Sequence, residues 1–149
     1  MGNRVERKHI THTTAGASGG TTIEPETFKA LERYEEVQVV AQLRGVSSDT
    51  LDVYLQRKVA DNVWADWCHF PQIASGAAVK TYSVTMASNN GAVLVGSGTD
   101  ASPGQALAAN TYVGGHPGDE LRIVSVAGAS TSASADQDIY LIGYRYPRG

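Results

Sequence analysis

The sequence predicts an all-β sandwich of the jelly-roll or Greek-key kind, carrying an extended N-terminal arm and one short helix. Three observations predict it. From Glu35 onward apolar residues recur at every second position, the period of a strand with one face buried. Those segments are separated by short runs of Gly, Ser, Asn and Pro, which punctuate about eight strands. The 149 residues are 42% hydrophobic and 18% charged, enough apolar material for one core and well outside the composition of disordered chains.

Residues 1–22 read as a flexible arm. Ala15 to Thr22 is AGASGGTT, which offers no side chain large enough to anchor a core. Within the arm, Val5 to Thr13 alternates loosely, so Val5, Arg7, His9 and Ile10 are candidates for strand addition to a neighbouring sheet. The sandwich then occupies 23–149. Ile23 to Tyr34 places Pro25 near a helix start and spaces Phe28 and Leu31 three apart, predicting the short helix.

Val37, Val39, Ala41 and Leu43 form the first alternating run, and Leu51, Val53, Leu55 and Val59 form the clearest one. Asp61 and Asn62 tolerate a left-handed backbone and centre a turn into a second β-rich run, Val63 to Ile73. An unbroken hairpin register about that turn sets Val59 opposite Trp64, Arg57 opposite Asp66, Leu55 opposite Cys68 and Val53 opposite Phe70 on the core side. On the other side it sets Lys58 opposite Ala65, Gln56 opposite Trp67 and Tyr54 opposite His69. Further strands are predicted at 79–86, 92–95, 106–113, 120–127 and 138–146, where Tyr140, Ile142, Tyr144 and Tyr146 share one parity.

The outward side of the hairpin, Tyr54, Trp67 and His69, forms an aromatic patch fit for a protein interface or a sugar platform unless a loop covers it. Catalysis finds less support. Cys68 and His69 are neighbours in an extended strand and point to opposite faces, so they do not make a nucleophile and base pair. His9 and His12 lie in the arm, and His116 with Asp119 makes a weak cluster short of a metal-ligand set. The Gly-rich segments lack the Lys-Ser or Lys-Thr of a phosphate loop. No catalytic residue, metal or cofactor is expected. A single cysteine excludes an intrachain disulfide. The net charge of −3 and the scattered Lys and Arg argue against nucleic acid, and the want of a run of about 18 apolar residues or of an apolar leader argues for a soluble, cytosolically made protein that does not partner a membrane.

The hairpin LDVYLQRKVADNVWADWCHFPQI, the later GDELRIVSVAG and the closing DIYLIGYRY resemble small β-sandwich virion proteins of tailed bacteriophages, head decoration or cement proteins among them. The matching positions are Leu51, Val53, Leu55, Gln56, Trp64, Asp66 and Phe70, within a likeness spanning roughly residues 50 to 146. The stretch from Arg57 to Asn62 departs from the Ser-x-Asp-Gly that often precedes the Trp in such hairpins. The resemblance implies a non-catalytic structural protein of the virion, assembled in the host cytoplasm, that binds and stabilises a capsid shell. Its implied partners are the major capsid protein and further copies of itself as a dimer or trimer. The rival expectations are a carbohydrate-binding or adhesion module stacking sugars on Trp67, Tyr54 or Tyr112, and a tail or connector component. On either reading, Trp67→Ala is expected to weaken binding and leave the sandwich folded.

Overall fold

The computed structural model of the chain describes residues 4–14, 20–44, 50–72, 80–85, 98–113, 117–127 and 135–145, with side chains at 21–42, 50–72, 98–113, 117–126 and 138–144. The elements are β1 (Arg4–Thr14), β2 (Gly20–Phe28), a single 3-10 turn (Leu31–Arg33), β3 (Glu36–Arg44), β4 (Leu51–Ala60), β5 (Val63–His69), β6 (Lys80–Thr85), β7 (Thr111–Tyr112), β8 (Leu121–Ala127) and β9 (Ala135–Arg145).

The strands form two antiparallel sheets, ordered β1-β9-β3-β6 and β2-β8-β4-β5-β7. That order has a simple origin. β4 and β5 flank the Asp61-Asn62 turn, and moving outward from it β3 pairs with β6, β2 with β8 and β1 with β9. Setting aside the two-residue β7, the chain is one long antiparallel ribbon. Rolling the ribbon on itself brings β9 beside β3 and β8 beside β4. The result is the all-β sandwich the sequence predicts, with the strand order of a jelly roll.

Two N-terminal expectations change. Residues 1–22 were expected to stand apart as an arm, yet Arg4–Thr14 is an edge strand of the first sheet, paired with β9 of the same chain from Arg4 opposite Arg145 to Thr14 opposite Ala135. β9 already has β3 on one side, and its other edge offers the partner that the loose alternation of the arm matches. Residues 20–28 also form a strand, β2, where a helix was expected to begin at Ile23. Pro25 sits on this edge strand where the β2–β8 register shifts, between Ile23 and Thr27, a position at which its missing N–H costs no ladder bond. The helical spacing of Phe28 and Leu31 resolves into a strand end, a left-handed Ala30 (φ 59°) and the 3-10 turn.

That turn plugs the sandwich. Phe28, Leu31 and Tyr34 are buried with Val37, Val39 and Ala41 of β3, Val53 and Leu55 of β4, Leu121 and Ile123 of β8, and Ile139 and Leu141 of β9. The Tyr34 ring lies where a Cβ on Gly143 would have to go, 2.4 Å from the nearest ring atom. Gly143→Ala is therefore expected to lower stability by about 1–3 kcal/mol through overpacking. The loss should shrink when Tyr34→Ala is made in the same chain, which a double-mutant cycle of urea midpoints measures.

The hairpin turn is as predicted, with Asn62 at a positive φ of 56°. Its register is not unbroken. Ala60 opposes Val63, but Lys58 then opposes Trp64, Arg57 opposes Ala65 and Gln56 opposes Asp66, before Leu55 opposes Cys68 and Tyr54 opposes His69. One extra residue in β4, Val59, shifts the ladder and one extra residue in β5, Trp67, shifts it back. Between the two bulges every pairing differs from the expected one, while on either side the expected register holds.

Candidate functional site

Among the described residues, the outward face of the second sheet carries a buried polar network. Residues 98–113 cross this face as a strap. The sequence predicts a strand over 106–113, but only Thr111–Tyr112 joins the ladder, opposite His69 and Cys68. At one end Trp64 and Gly98 exchange backbone hydrogen bonds of 2.9 and 2.7 Å. At the other the Val113 N–H donates to Trp67 O at 2.8 Å. Asn62 Oδ1 accepts from the Asp100 N–H at 2.8 Å, so the hairpin turn itself helps to hold the strap. Gly98 passes so close to Gly104 that a Cβ would lie 2.2 Å from the Gly104 nitrogen, which requires glycine there.

Beneath the strap, one row across three strands is polar and buried: Arg122 on β8, Gln56 on β4 and Asp66 on β5, each 2% exposed or less. Alternation places all three on the outward parity, and their chemistry is complementary throughout. The Gln56 amide nitrogen donates to Asp66 Oδ1 (2.7 Å) and Gly104 O (2.6 Å). Its oxygen accepts from Arg122 Nε (2.9 Å) and Nη2 (2.8 Å). Arg122 also donates to Thr99 O (3.0 Å) and Asp100 O (3.2 Å) and lies 4.5 Å over the Trp64 ring. Asp66 Oδ2 accepts from the Ala106 and Leu107 N–H groups at 2.9 and 3.0 Å. The Trp64 indole donates to Asp100 Oδ1 at 2.6 Å. Burial pulls the Arg122 guanidinium below its ordinary basicity, opposed by Asp100 and Asp66.

The next row holds two of the residues singled out from sequence. Tyr54 and His69 stack at 3.8 Å between ring centroids. His69 Nδ1 lies 2.8 Å from Leu107 O, and Nε2 lies 2.9 Å from Asp52 Oδ1. Asp52 Oδ2 accepts from Gln72 Nε2 at 2.7 Å. Both ring nitrogens are thus engaged inside the fold. The strap covers this pair, and Tyr54 and His69 are buried rather than displayed.

Trp67 is fully buried in the core cluster, beside Cys68, instead of on the outward face. The β5 bulge is the physical cause, since one extra residue turns the side chain that unbroken alternation would aim outward. Val59, expected in the core, is 37% exposed at the other bulge, and Trp64 is buried under the strap rather than in the core cluster. The exposed aromatic platform of Tyr54, Trp67 and His69 is therefore not formed. Tyr112, the third stacking candidate, is exposed but stands alone on β7. Val5, Arg7, His9 and Ile10 lie on β1 opposite Tyr144, Ile142, Tyr140 and Ile139. His116 and the predicted strand at 92–95 fall outside the described residues.

Gln56, Asp66 and Arg122 do not stand out in the sequence as site residues. A signal was present in Asp66, a carboxylate between Trp64 and Trp67 in mid-strand, where Asp is depleted unless a partner is built for it. Among the described residues no three His, Cys, Asp or Glu side chains converge to hold a metal ion.

Burial raises the Cys68 thiol from its ordinary 9.0 to about 12. Burial, then Asp52 and Asp66, raises Tyr54 above 10.0. A group raised in the folded state is neutral in both states below its unfolded value, so its stabilising contribution is whole there and is lost as pH climbs toward the folded value. Stability is therefore expected to fall between about pH 9 and pH 12, by up to about 1.4 kcal/mol per pH unit for the cysteine. Urea midpoints across that range should slope less steeply in Cys68→Ala than in the parent.

No protein-family model matches this chain, and no curated protein does. Among solved structures, the chain is similar to one described under Bacillus endospore appendages that form a novel family of disulfide-linked pili, at 9% identity and a TM-score of 0.45, covering 99% of this chain and 93% of that one. It is also similar to a chain of infectious bursal disease virus, Gt strain, at 12% identity and a TM-score of 0.28, covering 98% of this chain and 38% of that one. At these identities and TM-scores neither likeness bears on what the chain does.

Proposed function

We propose that this protein is a non-catalytic structural component of a virion, binding and stabilising the capsid shell of a tailed bacteriophage as a decoration or cement protein. Its partners on this reading are the major capsid protein and copies of itself. The observation that carries the reading is the outward face of the first sheet. There Gln38, Val40 and Gln42 of β3 lie beside Ile142, Tyr140 and Asp138 of β9, with Tyr144 at the end of the row. Of these Asp138 is buried, and Gln38, Val40, Gln42, Tyr140, Ile142 and Tyr144 are half-buried. A strand face with tyrosines and amides and few charges has the composition of the centre of a protein interface. The resemblance in residues 50 to 146 to small phage virion proteins points the same way. The polar groups of the opposite sheet support it differently, because they are spent on holding the strap.

The test is co-sedimentation with purified capsids assembled from major capsid protein alone. Saturable binding at a fixed number of copies per capsid is expected. Ile142→Lys sets a charge in the middle of the face while its stem stays on the sheet, so occupancy should drop with little change in thermal melting. A parent chain that never sediments with capsids, or an Ile142→Lys chain that fills them as completely as the parent, overturns the reading.

A further inference from the structure

We propose that His69 is a proton-operated latch that fastens the strap to the second sheet when doubly protonated and releases it when the ring loses a proton. The geometry leaves the ring little choice. Leu107 O is a carbonyl and can only accept, at 2.8 Å from Nδ1. Asp52 Oδ1, at 2.9 Å from Nε2, belongs to a carboxylate whose other oxygen already accepts from Gln72. Two acceptors on opposite edges of one imidazole require two protons to bridge them.

Removing one proton leaves one bridge, and the choice between them follows from strength. A hydrogen bond to a carboxylate is roughly twice as strong as one to a neutral carbonyl, so the remaining proton stays on Nε2 and faces Asp52. Nδ1 then presents a lone pair to Leu107 O, and the carbonyl is repelled. The strap is still tied by Asp66 through the Ala106 and Leu107 N–H groups, so release is local and does not unfold the sandwich.

The groups around the ring allow this reading. From β4 it meets Asp52 and the stacked Tyr54, which burial and its acidic neighbours hold in its neutral form. β7 sets Thr111 opposite His69, β8 sets the apolar Val124 opposite Tyr54, and the strap brings the Leu107 carbonyl. Asp66, from the same strand as His69, is occupied by Gln56 and the two strap amides. With the Leu107 carbonyl released, the strap loosens over the Tyr54–His69 stack while Asp66 and the backbone anchors keep it in place.

The experiment is nitrogen-15 NMR of the His69 ring, with amide exchange across the strap, from about pH 5 to about pH 8, the span over which histidine changes charge. Expected at the acid end are protons on both ring nitrogens and slow exchange at Leu107 and Val113. At the other end the proton should remain on Nε2 alone, with exchange of those amides about fivefold to tenfold faster after correction for intrinsic rate, the worth of one net hydrogen bond. Amides of 121–126 should not change. In Asp52→Asn the neutral amide donates to Nε2, the ring keeps its proton on Nδ1 at every pH, and the strap should stay protected throughout. A proton that remains on Nδ1 in the parent at the higher pH, strap exchange that does not respond to pH, or a pH response that survives in Asp52→Asn would each overturn the latch.

Discussion

Asp66→Asn, a change of one atom, is expected to destabilise the protein by about 3–5 kcal/mol, as much as breaking a buried ion pair. Three donors converge on the Asp66 carboxylate: Gln56 Nε2 on one oxygen, and the Ala106 and Leu107 N–H groups on the other. Only an acceptor-only group satisfies all three. An asparagine sets its own NH₂ against either the Gln56 amide or the two backbone donors, and each buried polar group left unmatched costs about 1–3 kcal/mol. Rotating Gln56 does not help, because its oxygen is held by Arg122 Nε and Nη2. The loss also removes one of the two negative charges that support the Arg122 guanidinium, Asp100 being the other. A fall in thermal midpoint on the order of 10 °C is expected, with the first proteolytic cuts appearing within Gly98–Val113. An Asp66→Asn chain that melts with the parent would mean that the strap is held by its backbone anchors alone.

Trp67→Ala is expected to cost a further large amount, about 3–5 kcal/mol, the range for deleting a fully buried aromatic side chain. Trp67 is among the largest side chains wholly shielded from water in the molecule, packed in the core with Cys68 and Phe70. The core cluster it belongs to is carried mostly on strands tied by their ladders, which do not collapse far to refill the space. This outcome is opposite to the one an outward Trp67 would give, where binding falls and the fold is untouched. Guanidinium unfolding separates the two, since a midpoint within experimental error of the parent would return Trp67 to the surface. Trp67→Phe, which keeps most of the ring volume, should recover a good part of the loss.

What the sequence made legible follows from what alternation encodes. β3, β4, β8 and β9 each carry alternating apolar residues, Val37, Val39 and Ala41, then Leu51, Val53 and Leu55, then Leu121 and Ile123, then Ile139 and Leu141, and these side chains form much of the core. The Asp61-Asn62 turn was legible because few residue types accept a positive φ. β2 was not, because TTIEPETF carries a proline at a plausible helix start and Phe28 and Leu31 at helical spacing, and only the neighbouring β8 edge decides for a strand. The end of the strap has the pattern of a longer strand because AANTYV alternates well enough, yet only Thr111–Tyr112 joins the ladder, with Pro103 and Gly104 ahead of it in the strap. The aromatic patch failed for one reason. A bulge adds a residue without leaving a mark in hydrophobic period, and from that residue on every side chain changes face until a second bulge corrects it.

The rolled ribbon also governs how the molecule must come together. The β4–β5 hairpin closes across a two-residue turn, whereas β1 and β9 join residues as far apart as Arg4 and Arg145. Each pairing outward from the hairpin tip closes a larger loop, at an entropic cost that grows slowly with its length. A chain so dominated by distant pairings is expected to fold in roughly milliseconds to seconds, slower than a helical protein of equal size, as stopped-flow tryptophan fluorescence would record. During synthesis β1 is made well before its partner strand β9. For that interval it is an unpaired strand, and the charged run Arg4-Val5-Glu6-Arg7-Lys8 is the kind of sequence that keeps such an edge from pairing with the wrong chain while it waits.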